Sequence, residues 1–271
     1  MAVFFVSFTL AFAAAYWLLV VLSQRHILPF SMEESIPGRI LWGVLRGFGP
    51  AIVAILSVLV FQGRTGLLSL GRAVVRWKVP GALYLVGFLG PFLVNAITVA
   101  AGLATSTMER VADHPPVLKL VAMFFVMAII DGPLGEEIGW RGLLLPALLR
   151  ETGPLLASLI VGVIWGVWHV PLYVADGRAM GLGAWAFFLA QTTAYSVVFT
   201  WFYLRVNQSV FFCIFLHEST NFAIFTLLIK FWHPIPDATL PRLVWGLLIF
   251  AVAVAAGISL QRTARTTKTA A

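Results

Sequence analysis

Eight stretches of this chain are each apolar for longer than a soluble helix or strand requires, and they leave few folds open. They run approximately over 1–22, 40–61, 80–104, 118–149, 154–174, 183–205, 208–230 and 241–261. A hydrocarbon core of about 30 Å takes roughly 20 helical residues to cross, and a spanning segment must satisfy its backbone hydrogen bonds internally. The runs are continuous rather than alternating and far exceed the length of a barrel strand, which argues against a closed β-barrel. The fold class read from them is all-α: a polytopic membrane protein of about eight transmembrane helices, forming one transmembrane domain over 1–271.

Composition agrees with a lipid setting. Of 271 residues, 61% are hydrophobic and 11% charged, against roughly a quarter charged in soluble domains. The single cysteine, Cys213, lies in an apolar run, so the chain has no disulfide framework and no cysteine zinc site. The net charge of +7 does not point to nucleic acid, because Lys and Arg lie mostly in short connections rather than on one basic face.

Those cations serve instead as topology signals. Arg64, Arg72, Arg76 and Lys78 follow the second run, Arg262, Arg265 and Lys268 lie in the tail, and Arg150 and Arg205 fall on the same side. The other side receives Glu33, Glu34, Glu109, Asp113, Asp176 and Asp237. The positive-inside rule then places both termini in the cytoplasm. The 1–22 run lacks a basic n-region and reads as a retained span, and neither end carries a lipidation motif. Short connections and the lack of an organelle retrieval signal point to a prokaryotic inner membrane.

The fourth run is too long for a simple span: about 32 residues at 1.5 Å each give roughly 48 Å. Asp131-Gly132-Pro133 is where it should break, since proline removes a backbone donor and clashes with the preceding turn. Just beyond comes Gly135-Glu136-Glu137-Ile138-Gly139-Trp140-Arg141, with three ionisable side chains in an apolar stretch. Charge at membrane depth is costly, faces a protein interior or a water-filled cavity, and marks a candidate site. Glu137 and Arg141 are four apart and share a helix face, which favours an ion pair, whereas Glu136 points about 100° away. The plainer reading is a structural ion pair with a second acid facing a polar cavity.

Two further spans supply polar groups. The fifth contains Trp165 and His169, the seventh His217 and Asn221 four residues apart. A lone buried histidine is more often a satisfied core group than a catalyst, and Ser219 and Thr220 suit helix packing. Counted from the basic ends, Glu136 lies about 13 residues deep, His169 about 15 and His217 about 9, so helical rise allows all three to meet in one layer. Arg46 and Asn95 can line the same cavity and equally can serve helix packing.

At these positions the sequence resembles the CPBP family of intramembrane proteases, which includes the CAAX prenyl endopeptidases and bacterial relatives linked to bacteriocin immunity. The family's Glu-Glu-x-x-x-Arg falls on Glu136, Glu137 and Arg141, its aromatic-x-x-x-His on Trp165 and His169, and its His-x-x-x-Asn on His217 and Asn221. The resemblance covers about 124–225, the motif-bearing core. Trp165 stands where phenylalanine is common, a departure expected to touch no proton-transfer group.

The resemblance implies hydrolysis of a peptide bond near the cytoplasmic half of the membrane. Glu136 and His169 would handle the attacking water, His217 and Asn221 would face the developing oxyanion, and Glu137 and Arg141 would support them. The substrate implied is a membrane-associated or prenylated protein or peptide in the lipid bilayer, with no nucleic acid partner. Glu136, His169 and His217 also make a two-histidine, one-carboxylate set of the kind that holds catalytic zinc with an open position for water. Metal-free and metal-dependent water activation both stay open.

Other classes leave different marks. The chain has no His-Glu-x-x-His, Gly-x-Ser-x-Gly or Gly-x-Gly-Asp; at His217-Glu218 an asparagine, Asn221, replaces the second histidine of a zincin helix. A non-catalytic immunity or scaffold protein would use the same residues to stabilise a polar core. A transporter would be expected to show inverted repeats, and none is visible.

Overall fold

A computed structural model describes residues 1–27, 36–111, 115–130, 132–175, 181–234 and 239–269, apart from the side chains at 36–42, 44, 46, 172, 174, 175, 233 and 263–269. Among the described residues the eight apolar runs become eight helices long and apolar enough to cross a membrane. In chain order these are α1 (Ala2–Gln24), α2 (Ile36–Val74), α3 (Gly81–Ala104), a fourth span built from several pieces, α7 (Pro154–Ala175), α8 (Leu182–Arg205), α9 (Val210–Phe225) and α10 (Leu240–Thr269). The fourth span consists of α4 (Val117–Ile130), α5 (Pro133–Gly139), a π-helical turn (Trp140–Leu144) and α6 (Leu145–Leu149). A second π-helical stretch, Thr226–Phe231, extends α9.

The break in the fourth span falls where the sequence places it. Gly132 adopts φ 112°, a conformation that a Cβ disfavours, and Pro133 occupies the start of α5, where its missing N–H costs no helical hydrogen bond. Asp131 lies outside the described residues. α2 departs from expectation: it continues to Val74 through a kink at Gly63 (φ 63°, ψ −156°), so Arg64 and Arg72 sit on helix rather than in a connection.

Apolar side chains face outward and polar ones inward. On α3, Leu85, Leu89, Leu93 and Ile97 form an exposed stripe at four-residue spacing, while Asn95, Thr98 and Gly102 are buried. Helices close on one another through small residues, as expected where lipid competes equally for apolar surface. A Cβ on Gly135 would meet the Gly47 carbonyl oxygen and, at 2.7 Å, the Phe48 Cα; one on Gly139 would meet Pro50 Cβ at 2.6 Å. α5 therefore lies backbone to backbone on α2. On α7, a Cβ at Gly162 would strike the Thr193 Cα, and one at Gly166 would meet Thr192 Oγ1 at 2.6 Å, which seats α7 equally close on α8.

The two ends of the bundle differ. At one, Arg76 donates to the Asn207 carbonyl, Ser209 Oγ donates to the Arg76 carbonyl at 2.5 Å, and Arg205 reaches Ser259 Oγ at 3.0 Å. At the other, β1 (Met108–Arg110) pairs antiparallel with β2 (Trp232–Pro234), Met108 opposite Pro234. Glu109 sits in this ribbon, while Glu33, Glu34, Asp113, Asp176 and Asp237 lie outside the described residues, as do the side chains of Arg265 and Lys268.

Candidate active site

Glu136 stands in the first turn of α5, its N–H given to the Gly132 carbonyl at 2.8 Å, and only 5% of the residue is exposed. Its two oxygens have different surroundings. Oε2 accepts from the indole Nε1 of Trp165 at 2.5 Å and of Trp140 at 3.4 Å. Oε1 lies 3.9 Å from His169 Nε2. His169 Nδ1 is 2.8 Å from the Trp165 carbonyl oxygen, which can only accept, so Nδ1 carries a proton there and Nε2 is the nitrogen turned toward Glu136.

Glu137 faces away from this pair. Its Oε1 accepts from Arg141 Nη1 at 2.8 Å and from His217 Nδ1 at 2.9 Å, and both Glu137 and Arg141 are fully buried. The expected Glu137–Arg141 ion pair is present, and it reaches one helix further than expected, to α9. The guanidinium carbon lies 5.0 Å from the Trp165 ring centroid and 4.7 Å from that of Phe199, contacts of cation–π type. The His217 ring packs edge-on against Trp165 at 5.2 Å.

A cavity of about 480 Å³ opens over these groups. Glu136, Trp165, His169, His217 and Asn221 all line it, whereas Glu137, Arg141 and Glu218 do not. The residues read from the sequence as catalytic thus line one cavity, and the two adjacent carboxylates part as the helical offset predicts. The lining continues to Met108, Pro234, Pro241 and Arg242, at the ribbon end. Asn95 lines a separate apolar cavity of about 430 Å³ and donates to the Pro91 carbonyl at 2.8 Å; the Arg46 side chain lies outside the described residues. Ser219 and Thr220 bond back to the Phe215 and Leu216 carbonyls within α9, the behaviour of packing residues.

The donor set suits a metal poorly. Among the described residues no three His, Cys, Asp or Glu side chains are grouped to hold an ion. Glu136, His169 and His217 are not grouped to hold a zinc ion in this arrangement, and no step below runs through one.

Residues 117–223 match the family described as Type II CAAX prenyl endopeptidase Rce1-like. Over these residues the chain is similar to the Rce1-like family. CAAX prenyl protease 2 of Methanococcus maripaludis is 28% identical over 93 residues, 32% of this chain and 34% of that protein. YdiL of Bacillus subtilis, named a putative membrane peptidase, is 27% identical over 169 residues, 59% of this chain and 66% of that one. The chain therefore spans about a third of the first relative's length and just under two thirds of the second's. The Rce1-like match supports a membrane-embedded protease and bears out the resemblance read from the three motifs.

One expectation for the matched region does not hold. Trp165 does touch a residue read from the sequence as catalytic: its indole N–H lies 2.5 Å from Glu136 Oε2, closer than that of Trp140 at 3.4 Å. The spacing of residues 136 and 165 carries no signal of this, because it depends on how α5 and α7 dock. The π-helical turn over Trp140–Leu144 is likewise absent from the sequence reading; it begins directly after the two glutamates, a setting common for such turns near functional residues.

Proposed function

We propose that this protein is an intramembrane endopeptidase of the CPBP type, which hydrolyses a peptide bond in a membrane-associated or prenylated protein or peptide. One observation carries the reading: Glu136 Oε1 and His169 Nε2 face each other across 3.9 Å in the wall of a cavity that His217 and Asn221 also line. Two atoms at that spacing can both hydrogen-bond one water at about 2.8 Å. Glu136 takes a proton from that water, His169 Nε2 orients it, and the water oxygen attacks the scissile carbonyl. A base positioned in this way contributes about 10²- to 10⁴-fold.

Charge developing on the carbonyl oxygen is met from α9. Asn221 donates from its amide, and His217 donates from Nε2 when its ring carries both protons, with the Glu137 carboxylate as counter-charge behind it. The proton held by Glu136 passes to the leaving amine. In this reading Glu136, His169, His217 and Asn221 act on substrate while Glu137 and Arg141 position them. The whole chain, 1–271, is one transmembrane domain with 124–225 as its motif-bearing core. It resides in a prokaryotic inner membrane with both termini cytoplasmic, so the cavity lining leads toward the opposite face.

The test works without an identified substrate. Protein N-termini are profiled across the membrane proteome of cells expressing either wild type or Glu136→Gln at matched levels, with folding of the variant confirmed. A set of internal cleavage products present with wild type and lost with the variant is expected. Identical profiles, with a cellular phenotype retained by both chains, would overturn catalysis and favour the immunity or scaffold reading.

A further inference from the structure

We propose that Trp165 is a positioning residue for Glu136 and His169, acting through two separate atoms. Its indole Nε1 holds Glu136 Oε2 at 2.5 Å, and its own carbonyl oxygen holds His169 Nδ1 at 2.8 Å. One residue therefore grips both members of the pair, and the 3.9 Å gap between Oε1 and Nε2 is set by where Trp165 sits. An indole N–H can only donate, so its contact with Glu136 has a single sense: the carboxylate oxygen is the acceptor.

Trp165 is itself fixed. It is 4% exposed, lies edge-on to His217 at 5.2 Å and packs on Phe199 at 6.0 Å, with the Arg141 guanidinium 5.0 Å from its ring. Gly166 beside it admits α8 to close approach, with a would-be Cβ 2.6 Å from Leu189 Cδ1, which locks the α7 backbone that presents the carbonyl. Both indoles, of Trp165 and Trp140, face one oxygen of the Glu136 carboxylate, which turns the other to the cavity. Oε1 is left as the oxygen available to a water. A phenylalanine at 165 would keep the ring packing and the main-chain bond to His169 but lose the N–H, leaving only the longer bond from Trp140.

The consequence for rate rests on the reading of Glu136 as the base; the hydrogen bond does not, and the experiment separates the two. First, the protein is labelled with ¹⁵N at tryptophan indoles in lipid nanodiscs and the Trp165 resonance assigned by its loss in Trp165→Phe. A charge-assisted bond this short displaces the indole proton downfield of the other tryptophans, and Glu136→Ala returns it to their range. A Trp165 resonance within that range and unmoved by Glu136→Ala overturns the proposal whether or not the protein cleaves anything.

Second, on a substrate identified through its Glu136-dependent cleavage, Trp165→Phe is expected to lower kcat about 10- to 100-fold with KM retained, the scale of a lost hydrogen bond to a charged group. The isosteric analogue 3-benzothienylalanine at 165, which keeps the indole shape without the N–H, should fall equally, and this excludes a packing defect. Unchanged kcat in either variant overturns the positioning role even where the hydrogen bond is observed. Absence of any Glu136-dependent product is a failure of the protease reading alone, and the resonance still decides the bond.

Discussion

His217 Nδ1 on α9 lies 2.9 Å from Glu137 Oε1 on α5, the same oxygen that Arg141 Nη1 holds at 2.8 Å. A single carboxylate oxygen thus ties the fourth span, which carries Glu136, Glu137 and Arg141, to α9, which carries His217 and Asn221. The contact also selects which histidine nitrogen remains for the cavity. Arg141 Nε and Nη2 and Glu137 Oε2 have no hydrogen-bond partner among the described residues, so this one oxygen carries the polar connection.

Glu137→Gln is accordingly expected to destabilise the bundle by about 3–5 kcal/mol, because it leaves the Arg141 guanidinium buried without its counter-charge. Equilibrium unfolding in mixed detergent micelles measures this. The double variant Glu137→Gln, Arg141→Met should recover much of the loss, and a single variant as stable as wild type would contradict the pairing.

Asn221 lines the cavity one helical turn beyond His217 but is absent from the Glu137–Arg141 pair. Asn221→Ala should lower kcat about 10²- to 10³-fold, the usual effect of one oxyanion donor, and leave KM and unfolding midpoint close to wild type. A proportional rise in KM at constant kcat would instead assign Asn221 to substrate binding.

Gly135 lies against the α2 backbone, where a methyl group would collide with the Gly47 carbonyl oxygen. Neither partner is the flexible end of a side chain, so Gly135→Ala must push α5 off α2. A destabilisation of about 1–3 kcal/mol is expected. Because Glu136 is the next residue, cleavage should fall further than stability alone explains, and wild-type cleavage and stability in this variant would rule out the close docking.

Chelation offers a separate check on the donor geometry. Cleavage by purified protein should persist within about twofold after treatment with 1,10-phenanthroline and dialysis, since no three donors among the described residues are grouped to hold an ion. Loss of cleavage restored by added zinc would show that the site rearranges around a metal.

Orientation can be read by cysteine labelling, with little background because Cys213 is fully buried. Arg242 is exposed at the ribbon end of the cavity and Arg150 is exposed at the other end of the bundle. With cytoplasmic termini, Arg242→Cys should react with a membrane-impermeant maleimide in intact spheroplasts and Arg150→Cys only after lysis. The reverse pattern would invert the topology.

Much of this architecture was legible in the chain because its causes are local. Run length against the thickness of a bilayer defined eight spans, Gly132-Pro133 marked the break, and four-residue spacing paired Glu137 with Arg141. The continuation of α2 through Arg64 to Val74 was not legible, since charged residues at a membrane boundary suit a helix end and a loop equally. Nor was the π-helical turn after Glu137, a change in hydrogen-bond register that has no residue signature of its own.

By itself, then, the sequence determined what must be buried: apolar runs have to cross lipid, and the charges within them must find partners inside the bundle. Which partners they find was decided by tertiary packing. Helical periodicity sets the direction of a side chain around its own axis but not the rotation or height of the neighbouring helix. The bonds from His217 to Glu137 and from Trp165 to Glu136 required α5, α7 and α9 to dock, with glycines seating α5 on α2 and α7 on α8. The same docking set one oxygen of Glu136 against the indoles and the other opposite His169.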